Sequence, residues 1–482
     1  MAGADSRRAW CCSTASSRTS RCIVRPAAWT SAWGMRITSA CSPIAATPTP
    51  PCWCSAAAGE TACCSPRTGA FAGPFVRLRE ALGASARVGH RCPRRPWEEA
   101  AHMGAEWRIE LQPLGGSAPG ANLLGQWREL LAASPHNPEQ SLYRTPEWVR
   151  YFRLAEPGSP VLLAQARDGR GELAGLAPLR LAQYRLRYEL GTRCLAVDSI
   201  PCLALMGGEP LWPAEPAAFE QLLRRLRAQM DGRAEALYLS SVRVGGLFWH
   251  YLQERSLRQL GYALYVPDGE RLRRSIAIPD DLAAYLTQFS AKTRNTLRRK
   301  LRRAEERGLR VWRAERAEQV PQWLRDASRV HRQSWQRREL GTSIRDEPDQ
   351  RRQLELLAEA GLLRCYLLYA GEHACAFVLG RQHGDVFHYA GVGYDPAMAG
   401  YSPSVVLLLH IIQDLSRHRP ARLMDLGLGD QEYKRHFGNR NYRDAPVLLL
   451  RRSLHNRCRS SLHGGFRRMV RCAKRWRALD TL

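Results

Sequence analysis

The 482-residue sequence predicts a mixed α/β (α+β) fold in which sheets flanked by helices form two similar halves in tandem. Two observations lead to this prediction. Between Arg273 and Ser453, three strand-like segments follow one another and are succeeded by a helix, a strand, a short helix and a last strand. Residues 103–268 repeat much of this order with little sequence similarity, which indicates an ancient duplication.

The first 102 residues do not have the pattern of a domain. Nine of the fifteen cysteines precede Pro93, mixed with Ser, Thr, Arg and Pro and without a sustained apolar period. We expect this segment to be disordered. A second hypothesis is that translation starts at Met103, where hydrophobic periodicity begins, and that residues 1–102 belong to an over-extended gene model.

In the first half, residues 103–268, helical and strand periods alternate. The predicted elements are, in order, strand EWRIELQPL, helices ANLLGQWRELLAAS and TPEWVRYFRLA, strands PVLLAQARD, ELAGLAPLRLA and YELGTRCLAVDS, helix AAFEQLLRRLRAQM, strand EALYLSSV and helix GLFWHYLQERSLRQLG.

In the second half, residues 269–453, turn signals at Gly371-Glu372 and His383-Gly384 separate the three successive strands. The predicted elements are strand RRSIAI, a helical region from Pro279 to Arg307, strand LRVWRAE, helices VPQWLRDASRVHRQSW and DQRRQLELLAEAG, strands LLRCYLLYAG, EHACAFVLGRQHG and DVFHYAGVGYD, a helix from Pro403 to His418, strand RLMDLGLG, helix DQEYKRHFG and strand DAPVLLLRR.

The chain is strongly basic, with 72 Lys plus Arg against 45 Asp plus Glu and a net charge of +27. Only four of the cations are lysine, so the bias toward arginine codons of a GC-rich genome explains much of this charge, and basicity alone is weak evidence for nucleic-acid binding. The longest apolar run, Val405 to Ile412, is far shorter than a membrane span. We therefore expect a cytoplasmic protein whose six cysteines after residue 103 are reduced thiols.

The basic segment SAKTRNTLRRKLRRAEERG, Ser290 to Gly308, has an apolar face as well. Apolar or small residues recur at intervals of three and four through Leu286, Leu297 and Ala304, which predicts a helix packed on a core with its cations on the other face. No heptads follow it, which disfavours a DNA-reading basic region. A solvated surface and an anion-binding surface both remain open.

The segment AMAGYSPSVV has the features of a helix start that binds phosphate. Its small residues allow close approach of the backbone, Ser402 is placed to cap the helix, and Pro403 suits the first helical position. Amides at such a start, together with the helix dipole, favour anions. An ordinary capped helix is the alternative. Gly391 and Gly393 do not form a dinucleotide fingerprint, because no third glycine opens the helix.

The segment MDLGLGDQEYKRHFG combines a strand end with a short helix. Asp425 is predicted to face away from Met424, and Asp430 to cap a helix whose first turn carries Glu432, Tyr433 and Lys434. A cap alone, a buried aromatic side chain and a solvated lysine are the respective alternatives.

These segments, with FSAKTRNTLRRKLRRAEERG, VHRQSW and AFVLGRQHGDVFHYAGVGYDPAMAGYSPSVVLLLHII, resemble the CelD/BcsL-type (BioF2-like) acetyltransferases of the GNAT superfamily, and more distantly the FemABX aminoacyl transferases, which are tandem GNAT folds. The resemblance covers Leu123 to Leu450. It implies an N-acyltransferase that uses acetyl-CoA or another acyl-CoA, without a metal, on an anionic acceptor that bears an amine. It also implies a role in polysaccharide or cell-envelope biosynthesis.

The resemblance implies residue roles as well. Acyl transfer to an amine needs a base and an acid. The resemblance assigns Asp425 or His388 as the base and Tyr433 as the acid. The implied coenzyme A contacts are Gly393, Tyr394, Gly400, Ser402 and Ser404. The implied acceptor contacts are Lys292, Arg294, Asn295, Arg298, His331, Trp335, Asp430, Glu432 and Lys434. Ser404 departs from the family, which has glycine there, and this change reduces access for coenzyme A.

Two other functions are compatible with the sequence: a FemABX-like transferase that uses charged tRNA, and a non-enzymatic basic binding module with a decayed cofactor site. The tail, residues 454–482, belongs to a segment from Arg451 to Arg477 with ten cations and no acidic residue. It is predicted either to contact an anionic membrane surface as a basic amphipathic segment or to be disordered.

Overall fold

The computed structural model describes residues 107–114, 119–134, 138–156, 158–191, 193–254, 256–334 and 344–479. The hypotheses on residues 1–102, on Met103 and on Trp335 lie outside the described residues. The domain boundaries predicted above stay predictions.

The strands follow the predicted order closely. They are β1 Arg108–Leu114, β2 Val161–Arg167, β3 Leu173–Leu190, β4 Arg193–Leu205, β5 Ala236–Arg243, β6 Tyr262–Tyr265, β7 Arg271–Ala277, β8 Leu309–Ala314, β9 Cys365–Ala370, β10 His373–His383, β11 Val386–Tyr394, β12 Leu423–Leu428 and β13 Arg440–Arg451.

The helices flank these strands. They are α1 Ala121–Ala133, α2 Pro146–Ala155, α3 Pro216–Gln229, α4 Leu247–Leu252, α5 Ser256–Gln259, α6 Leu282–Leu286, α7 Ala291–Glu306, α8 Val320–Gln333, α9 Pro348–Glu359, α10 Pro403–Arg417, α11 Glu432–Phe437 and α12 Leu454–Leu479. Short 3₁₀ helices span Pro138–Arg144, Ala317–Gln319 and Pro396–Tyr401.

All described strands join one 13-stranded sheet. Its path runs β1-β2-β3-β4-β5-β13-β7-β12-β11-β10-β9-β8, and β6 pairs with β13. The order β1 to β5 on one side mirrors β8 to β12 on the other, and in each half one pair, β4 with β5 and β11 with β12, is parallel. The predicted α/β fold with two halves of the same element order is therefore confirmed.

The two faces of the sheet carry separate cores. Because side chains alternate along a strand, Leu367 packs in one core and Leu368 in the other. The first core contains Trp127 of α1 and Trp323 of α8, so the same face joins the two halves. On the opposite face, each half has its own core, built on α3 in the first and α10 in the second.

The helical region predicted from Pro279 to Arg307 is two helices, α6 and α7. Ser290 separates them, because its extended backbone starts α7 and its hydroxyl accepts a hydrogen bond from the Thr293 amide at 3.3 Å. The predicted apolar face is confirmed, since Leu286, Leu297 and Ala304 are buried.

The basic tail forms α12 over Leu454–Leu479, so this part of the chain is helical and not disordered, and its contact with a membrane surface stays a prediction. Arg459 binds Asp198 of β4 at 2.6 Å, and the buried His463 lies 3.1 Å from the Arg187 carbonyl of β3. No helix among the described residues is long and apolar enough to cross a membrane. The six cysteines after residue 103 are free thiols, as predicted.

Candidate active site

The site begins where the parallel strands β11 and β12 separate. They pair only at Val386 with Leu423, Phe387 with Met424 and His388 with Asp425. Beyond His388, β11 continues to Tyr394 without a partner in β12, and its pairing with β10 skips one residue at Ala390. In the resulting wedge, the backbone groups of residues 389–394 that do not face β10 have no partner strand.

His388 and Asp425 form a buried pair at the base of this wedge, 1% and 3% exposed respectively. The His388 Nδ1 lies 3.3 Å from Asp425 Oδ2, and Asp425 Oδ1 accepts a hydrogen bond from the Gly427 amide at 2.9 Å. As an ionised carboxylate only accepts hydrogen bonds, Nδ1 carries the proton. His388 Nε2 is buried and has no hydrogen-bond partner among the described residues.

Alternation along β12 places Asp425 on the face opposite the buried Met424, as predicted. The pair is covered by Tyr143 of the 3₁₀ helix Pro138–Arg144, whose ring lies edge-on to His388 with 5.1 Å between centroids. Tyr143 comes from the first half of the chain, so both halves contribute to this site.

A row of buried polar side chains continues from Asp425 across the centre of the sheet. Arg273 Nη1 lies 3.3 Å from Asp425 Oδ2, and its Nε lies 3.9 Å from Asp444 Oδ2. The Ser241 hydroxyl donates to Asp444, and the Gln140 amide donates to the Ser241 carbonyl at 2.9 Å. This polar row, His388–Asp425–Arg273–Asp444–Ser241–Gln140, connects strands β11, β12, β7 and β13 to β5 and the 3₁₀ helix Pro138–Arg144 of the first half.

Burial and the charge of Arg273 shift the pKa values of the two acids in the polar row. Burial acts to raise the pKa of Asp425, but the Arg273 charge and hydrogen bonds from His388 and the Gly427 amide outweigh it and hold this pKa at about 2. Burial raises the pKa of Asp444 above its usual value, despite the opposing charge of Arg273. Asp425 is therefore ionised at neutral pH.

Sequence reasoning missed the inner members of the polar row: Arg273, Asp444, Ser241 and Gln140. One signal was present for Arg273, because it shares a strand face with Ser275, and both are polar residues in a strand that the sheet buries. No comparable local signal marks Gln140, which lies 101 residues from Ser241 in sequence.

Tyr433 and Lys434 lie on α11, directly after the wedge. Lys434 is buried, not solvated, and its Nζ donates to the Leu428 carbonyl at 2.6 Å. Burial lowers the pKa of Lys434 to about 8. Tyr433 is 39% exposed, and partial burial raises its pKa to about 12. Burial raises the pKa of Tyr389, and Tyr433 raises it further. Tyr433 therefore lies near Tyr389, the first residue of the open part of β11.

The predicted cap at Asp430 is wrong. Gln431 holds the N-cap position of α11, because its extended backbone starts the helix one residue later. Asp430 instead forms ion pairs with Arg274 at 2.6 Å and Arg435 at 3.6 Å. Glu432 is exposed in the first turn. Roles of Asp430 and Glu432 in acceptor binding stay predictions.

The start of α10 is built differently from the predicted capped helix. Ser402 is the N-cap residue, but its backbone is left-handed, with φ 54° and ψ 49°, and its side chain makes no capping hydrogen bond. Space around Gly400 is open, since an added Cβ would meet no atom within 4 Å. The Arg307 guanidinium donates to the Tyr401 hydroxyl at 2.9 Å, which brings a cation to this end of the helix.

Other predicted contacts have structural explanations of their own. A Cβ at Gly393 would lie 2.5 Å from the Phe377 ring, so packing requires glycine there. Tyr394 packs partly buried on the α10 core, and Ser404 is half-buried in the first turn of α10. His331 is buried with its ring 6.0 Å from that of Phe377.

The predicted acceptor residues on α7 are mostly exposed. Lys292, Asn295 and Arg298 are exposed and Arg294 is half-buried. Among the described residues, no hydrogen bond or ion pair joins these four to the His388–Asp425 pair. The described part of the chain also holds no group of three or more His, Cys, Asp or Glu side chains that could bind a metal ion.

A family model described as an acetyltransferase (GNAT) domain matches residues 291–435. The matched segment runs from α7 into α11 and so contains the wedge, the His388–Asp425 pair and Tyr433. No curated protein matches the chain in sequence.

Solved structures that are similar to this chain at low identity include the following three. The FemX structure is 12% identical at a TM-score of 0.49, covering 70% of this chain and 97% of that chain. The C-terminal domain of a putative lysylphosphatidylglycerol synthetase from Agrobacterium fabrum is 12% identical at 0.44, covering 71% and 95%. A tandem GNAT protein from the clavulanic acid biosynthesis pathway is 14% identical at 0.40, covering 72% and 99%.

The sequence match and the sheet topology agree on the second half of the molecule. The separating parallel strands lie inside the matched segment, and the same element order recurs in the first half. Residues 291–435 thus match a GNAT acetyltransferase domain and lie within an α/β fold whose two halves share one element order, and membership of the CelD/BcsL family stays a prediction.

Proposed function

We propose that this protein is an acyl-CoA-dependent N-acyltransferase with its catalytic centre at His388 and Asp425. One observation carries the proposal: a buried His–Asp pair with a free ring nitrogen lies where β11 and β12 separate, inside the segment that matches the GNAT domain. Hydrogen-bonded base and orienting residues at the base of an open wedge are the arrangement that acyl transfer to an amine needs.

The residues around the wedge fit an acyl-CoA. The open edge of β11, which includes Gly393 and Tyr394, suits the amide groups of the pantetheine arm. The start of α10, with Gly400, Ser402 and Ser404, suits the pyrophosphate, because free amides and the helix dipole favour an anion. The bound donor supplies an activated acyl carbon.

In this proposal Asp425 orients the base and is not itself the base. Its two carboxylate oxygens are already engaged by Arg273, His388 and the Gly427 amide. His388 Nε2 then takes the amine proton. Tyr433, whose pKa of about 12 keeps it protonated at neutral pH, donates a proton to the departing thiolate.

The acceptor is proposed to carry an anionic group beside its amine. The exposed cations Lys292 and Arg298, with Asn295 and the half-buried Arg294, offer α7 as the surface that binds this group. The resemblance noted above suggests an acceptor of polysaccharide or cell-envelope biosynthesis. The same exposed cations favour a second candidate, aminoacyl transfer from charged tRNA, whose phosphates would use the same surface.

Ligand-dependent melting separates these functions. A ligand at a hundredfold over its dissociation constant stabilises by about 2.7 kcal/mol, so acetyl-CoA, a long-chain acyl-CoA and mixed tRNA can be compared directly. Stabilisation by an acyl-CoA supports the first candidate, and stabilisation by tRNA alone supports the second. A response to none of the three would contradict both and favour a binding module.

The catalytic assignment is tested with His388→Ala. We expect it to lower turnover with acetyl-CoA by about a hundredfold or more while stabilisation by acetyl-CoA is retained. His418→Ala is the matched control, because His418 is 64% exposed and lies far along α10 from the wedge. Equal rates for the two variants would remove His388 from the mechanism.

We also propose that α12 contacts an anionic membrane surface. Leu462 and Met469 are exposed along one flank of this helix, and Arg468 and Arg471 are exposed along another. Leu462→Asp with Met469→Asp should reduce sedimentation with phosphatidylserine vesicles and leave melting unchanged. If the unaltered protein does not sediment with these vesicles, the proposed membrane contact is contradicted.

A further inference from the structure

Arg381 is a buried cation that the proposed mechanism does not use. It lies on β10 and is 9% exposed. Its Nε atom is buried and has no hydrogen-bond partner among the described residues, and its guanidinium forms no ion pair with any described carboxylate. Because an unpaired charge is costly to bury, a bound anion stabilises such a site.

Arg381 lies opposite His388 in the sheet. The two residues are register partners in the antiparallel pairing of β10 with β11. Register partners project from the same face of a sheet, with Cβ atoms about 4.5 to 5.5 Å apart. His388 Nε2 also has no hydrogen-bond partner among the described residues. One face of the sheet therefore presents a cation and a basic ring nitrogen side by side, and neither has a partner in the described part of the chain.

Aromatic rings from the first half hold the Arg381 guanidinium. Its Cζ atom lies 5.1 Å from the ring centroid of Trp148 and 5.7 Å from that of Tyr151, both on α2. Trp148 also contacts Tyr143, the ring that covers His388. Aromatic rings attract a cation without neutralising its charge. The guanidinium and His388 are therefore held against the same group of rings, and the charge of Arg381 stays available.

The charges on this face leave one positive charge over. Burial and Asp425 raise the pKa of Tyr143 to about 12, against the opposing charges of Arg273 and Arg381. Asp425 and Arg273 pair with each other at 3.3 Å, which leaves Arg381. Two further carboxylates have cations of their own: Asp444 has Arg271 and Arg273, and Glu147 has Arg128 at 2.5 Å. The local charge therefore favours a ligand with one negative charge.

Arg381 lies where the two halves meet. His383, two residues further along β10 and on the same face, is half-buried, and its Nδ1 lies 2.9 Å from Ser141 Oγ of the first half. Tyr151 is half-buried as well. Partly exposed side chains of both halves therefore lie beside Arg381, so the cation is close to the surface at this seam.

This inference rests on the proposed function and names the acceptor class. We propose that Arg381 binds a carboxylate that lies beside the acceptor amine, as in an amino acid. The planar guanidinium donates two parallel hydrogen bonds to a carboxylate, and the amine then lies at His388 Nε2. A carboxylate also matches the single surplus charge, whereas a phosphate dianion does not. The cations of α7 then bind a more distant anionic part of a larger acceptor.

The test compares glycine with glycinamide, which lacks the carboxylate, using full-length protein and acetyl-CoA. Arg381→Gln removes the charge, so it should raise the KM for glycine by about tenfold or more and leave the KM for glycinamide within about twofold. Arg381→Lys keeps the charge but not the paired hydrogen bonds, so it should raise the KM for glycine by less. Arg310→Gln is the matched control and should change neither KM, because Arg310 also lies over an aromatic ring, 5.6 Å from the Tyr369 centroid, but is 67% exposed on β8.

The outcomes separate the two proposals. Equal changes for both compounds, or no change, would overturn the role of Arg381 and leave the acyltransferase proposal standing. A lower KM for aminomethylphosphonate than for glycine would overturn the carboxylate in favour of a phosphate group. If Arg381→Gln does not fold, Arg381→Lys decides, and an unchanged KM for glycine would overturn the proposal.

If neither compound is acetylated, melting in glycine without donor tests the carboxylate site by itself. Stabilisation that the Arg381 substitution abolishes would support this site alone, and stabilisation that is absent or survives the substitution would overturn it.

Discussion

Arg273 offers the sharpest test of the polar row. Its guanidinium is 1% exposed and lies between two carboxylates, 3.3 Å from Asp425 of β12 and 3.9 Å from Asp444 of β13. Arg273→Met keeps an unbranched apolar stem but leaves both carboxylates buried without their cation. Removing one partner of a buried ion pair costs about 3 to 5 kcal/mol of unfolding free energy.

The loss of unfolding free energy in this variant should depend on pH. In the unaltered protein the pKa of Asp425 is lowered to about 2, so this carboxylate contributes stability above the unfolded-state pKa of about 4 and loses it as pH falls toward 2. In Arg273→Met the Arg273 charge no longer opposes burial, so the pKa values of both carboxylates rise. The folded variant then takes up protons, so its deficit is largest at neutral pH and shrinks in mild acid.

The assay is urea unfolding of both proteins at about pH 7.5 and about pH 5, with Arg273→Met/Asp444→Asn as a third protein. We expect the double variant to recover part of the loss, since one buried charge fewer remains. A loss below about 1 kcal/mol, or an equal loss at both pH values, would refute the buried-pair reasoning.

Three further outcomes are expected. Because the pKa of Lys434 is lowered to about 8, the unfolded chain holds a proton on Lys434 that the folded protein lacks between about pH 8 and pH 10, so Lys434 should contribute a gain of about 3 kcal/mol in stability over that range; pH-dependent unfolding of the unaltered protein and of Lys434→Met should differ by this gain. Tyr433→Phe should lower turnover by about a hundredfold without a loss of melting temperature, and an unchanged rate would discard Tyr433 as the acid. Ser402→Gly should raise stability by about 1 kcal/mol in urea unfolding, because glycine adopts the left-handed backbone at Ser402 without strain; a loss would contradict this reading.

Local pattern predicts the fold well here and the site only in part. The period of two in β12 suffices to orient Asp425 away from Met424, and the parallel partner strand then brings His388 beside it. Helix starts were harder to place: the cap at Asp430 was wrong because Arg274, 156 residues earlier, draws that side chain into an ion pair. The sequence did not decide whether Lys434 is solvated, because its burial depends on how the chain turns after Leu428, whose carbonyl accepts a hydrogen bond from Lys434.

The contribution of the first half could not be predicted from local pattern. Glu139 and Gln140 look like ordinary polar residues of a loop in HNPEQSLYR. Gln140 is held by a hydrogen bond to Ser241, which in turn contacts Asp444, 203 residues later. Only the assembled sheet brings these positions together, since loops carry little periodicity of their own.

The place of β13 in the sheet has a consequence for synthesis of the protein. β13, Arg440–Arg451, follows every other described strand in the chain, yet it pairs with β5 on one side and with β7 on the other. A nascent chain that lacks β13 has open strand edges at β5 and β7, and open edges invite pairing with other chains. The two halves therefore share one continuous sheet only after their last strand has left the ribosome, and until then the edges of β5 and β7 stay open.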